Sequence, residues 1–148
     1  MKQLSKIPFA SLTITIYNKY TYENSSGKLI TSWSRMVIPN CFRTTSQSIF
    51  GGGSVYLSED KTAVQVPMFD NYLEPFDWAN LPNDDARNYF TVNDGDLIVL
   101  REVDDDINDF SVIEAIEKKY GSLAFKIGSV NYNYGTGYPL PHILAVSI

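Results

Sequence analysis

Leu12, Ile14 and Ile16 alternate with Thr13, Thr15 and Tyr17 near the start of the chain. This period of two predicts a half-buried strand. Asn24-Ser25-Ser26-Gly27 is a turn cluster, and Leu29 to Ile38 is rich in β-branched and aromatic residues. Together they predict a long hairpin, whose second strand Pro39-Asn40 ends or marks as an edge. Val55 and Leu57 flank Tyr56, and Val64 and Val66 flank Gln65. Ser58-Glu59-Asp60-Lys61 lies between these runs and fits a hairpin turn. Asn93-Asp94-Gly95-Asp96 is a strong turn signal. It leads into Leu97-Ile98-Val99-Leu100, a continuous apolar run that predicts a buried strand.

The period changes to helical spacing at Ser111 to Tyr120, where Val112, Ile113, Ile116 and Tyr120 share one face. Ser111 with Glu114 forms a capping box, Glu114 and Lys118 are a favourable i,i+4 pair, and Gly121 suits the position after the helix. Two final strands are expected, Ser122 to Tyr134 and His142 to Ile148, joined through Gly135-Thr136-Gly137, Pro139 and Pro141. Phe125 and Ile127 share one face, but Val130 and Tyr132 share the other. Gly128 therefore predicts a bulge or bend, of the kind that lets a small sheet curl.

Two stretches break the periodicity. Residues 68–90 contain Pro75 and Pro82, which interrupt any long helix, and predict short turns with one helix from Asp84 to Tyr89. Thr44 to Ser54 is Ser/Thr-rich and holds Gly51-Gly52-Gly53. Three glycines are costly to order, so a mobile loop is expected. The fold class is mainly β: a small antiparallel β-barrel or curled sheet, one short amphipathic helix at about 111–120, and an irregular segment 68–90. A single domain over 1–148 is expected, with residues 1–11 as an extended N-terminal arm.

Composition narrows the chemistry. The chain has 148 residues, 17 acidic and 12 basic, for a net charge of −5. That balance argues against coating DNA through its phosphates. One Cys forms no internal disulfide and no thiolate zinc site, and one His supplies no multi-histidine centre. A dyad of Cys41 and His142 is arithmetically available and nothing more. No apolar run approaches a membrane span, so no membrane association is expected. Met1 to Leu12 lacks an apolar h-region, so a soluble intracellular product is expected.

Individual motifs carry little catalysis. Asp104, Asp106 and Asn108 match the first three ligand positions of a calcium loop. Asp109 stands where Gly is required and Ala115 where the bidentate Glu belongs, so a solvated loop is the better reading. The triple glycine lacks the Lys-Ser/Thr of a phosphate loop. Cys41 reads as a small buried apolar residue. His142 shares parity with Leu144, Val146 and Ile148, as a hydrogen-bonded residue at a barrel end. No serine lies in a nucleophile elbow. Carboxylate pairs for sugar hydrolysis depend on spatial separation and stay open. Asn131, Tyr132, Asn133, Tyr134 and Tyr138 form a tip suited to stacking on sugars or a protein partner, because tyrosine brings contact area at low entropy cost. Equally, Tyr132 can be core and the rest ordinary strand residues.

The ordered segments also resemble a known group. They are Thr13 to Tyr20, Val37 to Phe42, Val64 to Pro67, Tyr72 to Asp84, Phe90 to Val99 and Gly137 to Val146. The set resembles minor capsid or head-tail joining proteins of tailed phages and prophages of Gram-positive hosts. It spans most of residues 12–148, with Thr44 to Ser54 matching least. The resemblance implies no enzyme activity, no catalytic residue, no metal and no cofactor. It implies a virion protein of the neck, assembled in the host cytoplasm, similar to head-closure or stopper proteins. Such a subunit forms a homo-oligomeric ring, contacts portal or adaptor and tail proteins, and lets genomic DNA pass without sequence-specific binding. The expected partner interface uses Phe50, Gly51, Gly52 and Gly53 of the loop, Asp104, Asp105 and Asp106 of the acidic segment, and Asn133, Tyr134 and Tyr138 of the tip. Rival expectations are a tail completion protein, a carbohydrate-binding module using Tyr134 and Tyr138, and a hydrolase using carboxylates with His142.

Overall fold

The computed structural model describes residues 1–52, 55–82, 84–107, 112–135 and 140–148; for 45–52, 55–60 and 112 it describes the backbone alone. Six strands form a closed antiparallel barrel in the order β1-β2-β3-β6-β5-β4. They are β1 (Leu12–Glu23), β2 (Leu29–Gly52), β3 (Val55–Pro67), β4 (Leu97–Val99), β5 (Ala124–Asn133) and β6 (His142–Ser147). Helix α1 is Pro75–Ala79 and helix α2 is Val112–Tyr120, and short 3-10 turns occupy Ala86–Asn88 and Gly121–Leu123.

The long β2 is where expectation and structure part. Ile14 pairs with Ile38 and Leu12 with Cys41, so Pro39 and Asn40 together face Thr13 alone. This is a β-bulge, and Asn40 takes φ +60° within it. The strand therefore bends at Pro39-Asn40 instead of ending. It leaves β1 as its neighbour and pairs with β3 from Phe42 onward. Thr44 to Gly52, expected as a mobile loop, is paired strand in register with Val55 to Ala63. The Ser58-Glu59-Asp60-Lys61 turn is likewise absent, since these residues pair with Ser46 to Ile49 inside β3. Serine and threonine are compatible with strand, and a partner supplying the ladder outweighs the glycine cost. Gly53 and Ser54 lie outside the described residues.

Two apolar clusters explain the hydropathy pattern. Ile14, Ile16, Ile38, Val64, Val66, Ile98, Ile127 and Ile143 fill the barrel interior. Tyr17, Leu97, Val99, Val103, Ile107, Ile113 and Ile116 form a second cluster outside the barrel wall, under α2. β4 reads as a continuous apolar run because Ile98 faces the first cluster while Leu97 and Val99 face the second. α2 ends at Tyr120 as expected, and Gly121 has φ +53°. Ser111 of the capping box lies outside the described residues.

Gly128 is the bulge that the parity change predicts. The register shifts between Ile127 and Ser129, and a Cβ at Gly128 would stand 2.8 Å from the Ile148 Cα. The irregular segment 68–90 closes one end of the core, where Phe69, Tyr72 and Phe90 insert. The helix expected over Asp84 to Tyr89 is only the 3-10 turn Ala86–Asn88. Before it, α1 is anchored by Trp78, whose indole N–H donates to the Tyr89 carbonyl at 3.1 Å. The N-terminal arm is not free. The Leu4 amide donates to Met68 O at 2.7 Å, and the Ser5 hydroxyl to Pro141 O at 2.7 Å.

Candidate functional site

The acidic segment is clasped to the barrel from several directions. Thr15, fully buried in β1, donates its hydroxyl to Arg101 O at 2.8 Å and accepts from the Val103 amide at 3.0 Å. The Tyr17 hydroxyl donates to Asp105 O at 2.7 Å. Arg35 of β2 donates to Asp106 at 2.8 Å and to Val103 O at 3.0 Å. The Asp105 carboxylate accepts from the Tyr120 hydroxyl and from Lys119 Nζ, the latter at 3.0 Å, and these donors hold its pKa below the ordinary carboxylate value. Asp105 and Asp106 are thus occupied within the chain, while Asp104 is exposed. Asn108 and Asp109 of the calcium-like spacing lie outside the described residues. Among the described residues no group of three or more His, Cys, Asp or Glu side chains gathers to hold a metal ion.

The tyrosine tip is a packed cluster. The ring centroid of Tyr134 is 5.7 Å from that of Tyr72 and 6.0 Å from that of Tyr132, both edge-on. The Tyr132 hydroxyl donates to Val92 O at 2.8 Å, and burial pushes its pKa up to about 12. The Tyr134 hydroxyl donates to Glu74 at 3.3 Å. Asn133 reaches His142 Nε2 at 3.2 Å, and His142 Nδ1 lies 2.8 Å from Leu140 O. A carbonyl oxygen only accepts, so Nδ1 carries a proton and donates it to Leu140 O. His142 is therefore a hydrogen-bonded residue at the barrel end. Tyr138 lies outside the described residues. Cys41 is fully buried, and burial pushes its thiol pKa far up.

Phe50, Gly51 and Gly52 lie in β2, paired through their backbones with Leu57, Tyr56 and Val55. β3 meets β6 only from Ala63 to Pro67. Beyond that point β2 and β3 have only each other as described strand neighbours. They form a two-stranded arm roughly 25 Å long at about 3.4 Å per residue. Gly53 lies outside the described residues.

Two features escaped the sequence reading. Asn18, Thr91 and Asp96 form a polar knot at 1%, 3% and 2% exposure. The Asn18 amide donates to Asp96 and to Thr91 O, each at 2.8 Å. The other feature is a groove of about 450 Å³ beside β2, lined by Tyr20, Tyr22, Ser32, Trp33, Arg35 and Arg87. The only sequence signal for it was the aromatic spacing of Tyr20 and Tyr22, which reads equally well as strand alternation.

Fold and surface together define a small closed antiparallel β-barrel carrying a two-stranded arm and a latched acidic segment. The profile of a family of unknown function (DUF6751) matches residues 9–146, and the chain belongs to that family. No curated protein and no solved structure matches the chain. Among the described residues no helix is long and apolar enough to cross a membrane.

Proposed function

We propose that this chain is a non-enzymatic structural subunit of the head-tail connector of a tailed phage, acting by protein–protein contact within the virion neck. The observation that carries the reading is the two-stranded arm of β2 and β3, which leaves the barrel beyond the Thr44–Ala63 pair and offers its backbone edges outside it. Unpaired strand edges are a ready template for another chain. The ordered resemblance of Thr13 to Tyr20, Tyr72 to Asp84 and Gly137 to Val146 to head-tail joining proteins supports it, and so does the net charge of −5. An acidic subunit repels the DNA backbone, which lets DNA slide past without sticking. In this reading the subunit assembles in the host cytoplasm as a ring against portal or adaptor and tail proteins. Deleting Gly51-Gly52-Gly53 tests it: the variant folds, but infectious particles fail to assemble. Full infectivity would remove the arm from the interface. Labelling the protein in particles stalled before tail joining separates a head-side subunit from a tail completion protein.

A second reading is carbohydrate binding, and the groove of Tyr20, Tyr22, Trp33 and Arg35 favours it over the tyrosine tip. Tyr20 and Tyr22 stack with centroids 5.9 Å apart beside the Arg35–Asp106 pair, giving ring faces next to planar polar groups. A pull-down on cell-wall material with a Tyr22→Ala control decides it, and no retention of the wild type removes the idea.

A further inference from the structure

Residues 1–7 dock on the barrel through a defined set of bonds. Gln3 and Phe69 form an antiparallel bridge, flanked by the Leu4 amide on Met68 O at 2.7 Å and the Asp70 amide on Lys2 O at 2.8 Å. The Lys2 amide donates to the Asp70 carboxylate at 2.7 Å, and the Asn40 side-chain amide donates to Gln3 Oε1 at 2.8 Å. Ser5 Oγ joins two segments, accepting from the Met68 amide and donating to Pro141 O, each at 2.7 Å. Ile7 is buried. The partners lie in β2, in residues 68–70 and just before β6. None of them lies in β1, into which the arm runs.

The link from this arm to β1 is short, exposed and strained. Pro8, Phe9 and Ser11 are exposed, and Phe9 has φ +61°. Phe9 stands third in the turn Ile7-Pro8-Phe9-Ala10, which the Ala10 amide closes on the Ile7 carbonyl at 3.3 Å. Positive φ at the third position suits Gly or Asn and strains a phenylalanine. The ring is 96% exposed, so no packing within the chain offsets the strain. Extending the hinge releases it and gives up only that one long turn bond. A short hinge under strain invites exchange, between copies, of the element it carries.

We propose that residues 1–7 are an exchangeable arm, which leaves its own barrel through the Pro8–Ser11 hinge and seats in the Met68–Asp70 site of a second copy of this chain. The occupant follows from the fold, because the complement of that site is the arm that already fills it. An arm arriving from another copy remakes each bond to Asn40, Met68, Asp70 and Pro141. Extended, the four hinge residues span up to about 14 Å, so the two barrels lie side by side. A tethered arm meets its own site at about millimolar effective concentration. Release of a left-handed phenylalanine favours the open hinge roughly tenfold, which brings exchange to about 100 μM. Mutual exchange makes a dimer, and passing each arm to the next copy makes a ring or a filament. The inference concerns self-association alone and does not rest on the connector reading.

Cross-linking between copies tests the exchange. Lys2 and Asp70 are exposed and face each other beside the Gln3–Phe69 bridge. Facing residues of an antiparallel pair lie about 5.5 Å apart, within disulfide reach. Cys41 is fully buried and stays out of the reaction. Full-length Lys2→Cys and Asp70→Cys chains, mixed at about 300 μM and oxidised, should give a disulfide-linked heterodimer in excess of either homodimer. Sedimentation velocity of the wild type should show oligomers at about 300 μM and monomer at about 5 μM. Phe9→Gly removes the strain and should raise the concentration needed for exchange roughly tenfold. The double variant Lys2→Cys/Asp70→Cys at about 5 μM should close its disulfide within one chain, with the arm seated at home. A wild type that is monomeric at both concentrations, a mixture without heterodimer excess, a Phe9→Gly variant that exchanges as readily, or a double variant that fails to close would each overturn the proposal.

Discussion

The side-chain amide of Asn18 donates a 2.8 Å hydrogen bond to the carboxylate of Asp96 inside the folded chain, where the two residues are 1% and 2% exposed. The same carboxylate accepts from the Lys19 and Asn93 amides, each at 3.0 Å. Asn18 also accepts from the Thr91 amide at 3.2 Å. One carboxylate thus ties β1 to the turn before β4. The Asp96 backbone extends the tie, because its carbonyl accepts from the Ile127 amide of β5 at 2.9 Å.

Asn18→Ala is therefore expected to destabilise the fold well beyond a surface change. It leaves the Thr91 amide and carbonyl without their partner and takes one donor from a buried carboxylate. Each buried group left unpaired costs about 1–3 kcal/mol, so a total of about 3 kcal/mol is expected. Urea unfolding should show a lower midpoint with an unchanged slope.

The pH dependence has a defined sign. Burial pushes the Asp96 carboxyl from 3.8 up to about 7, against the N–H groups that donate to it. The folded state then holds this proton more tightly than the unfolded chain does. The stability linked to it is full below the unfolded value, declines as pH rises between the two values, and is gone above the upper one. The slope it adds is at most about 1.4 kcal/mol per pH unit. Asp105 acts in the other direction. Its pKa is lowered by the Tyr120 hydroxyl and Lys119, so its contribution is lost as pH falls below the ordinary carboxylate range. Urea midpoints at about pH 4.5 and about pH 7.5 should differ in the wild type, and the difference should shrink in Asp96→Asn.

Thr15→Val separates shape from hydrogen bonding. The side chains are nearly isosteric, and Thr15 is fully buried. Without the hydroxyl, Arg101 O and the Val103 amide lose the atom that bridges them. A loss of about 2 kcal/mol is expected, with faster hydrogen exchange confined to residues 101–107 and the strand facing them. Thr15→Ser should keep most of the stability.

Two glycines fail for different reasons. At Gly128 an added Cβ meets the Ile148 backbone at 2.8 Å and 3.1 Å. Gly128→Ala should push Ile148 away, breaking the hydrogen bond that its amide donates to Lys126 O, at a cost of about 1–3 kcal/mol. Gly95 has φ +87° with nothing within 4 Å of a built Cβ. Gly95→Ala should cost only about 1 kcal/mol, through backbone strain. Thermal melts rank the pair, and protection of the Ile148 amide should fall in Gly128→Ala alone.

What the chain determined by itself is what depends on near neighbours. Alternation from Leu12 to Tyr17 specified β1, helical spacing from Ile113 to Tyr120 specified most of α2, and the parity change around Gly128 located the bulge in β5. Each is a repeat or a break within a few residues, so no partner is needed to see it. Mainly β architecture with one short amphipathic helix follows from those signals.

Tertiary structure decided everything that depends on a distant partner. Thr44 to Gly52 has no strong preference of its own, and it is strand because Val55 to Ala63 runs beside it. Pro39-Asn40 looks like an end, but the change of neighbour from β1 to β3 makes it a bend. Asp96 sits in a turn sequence that reads as solvated, yet it is buried because Asn18, 78 positions away, meets it. Asp105 and Asp106 read as a free acidic surface until Arg35, Lys119 and Tyr120 reach them. Polar residues carry no periodic signal that tells a satisfied buried group from an exposed one. That distinction arises only when the closed barrel brings a donor to each acceptor.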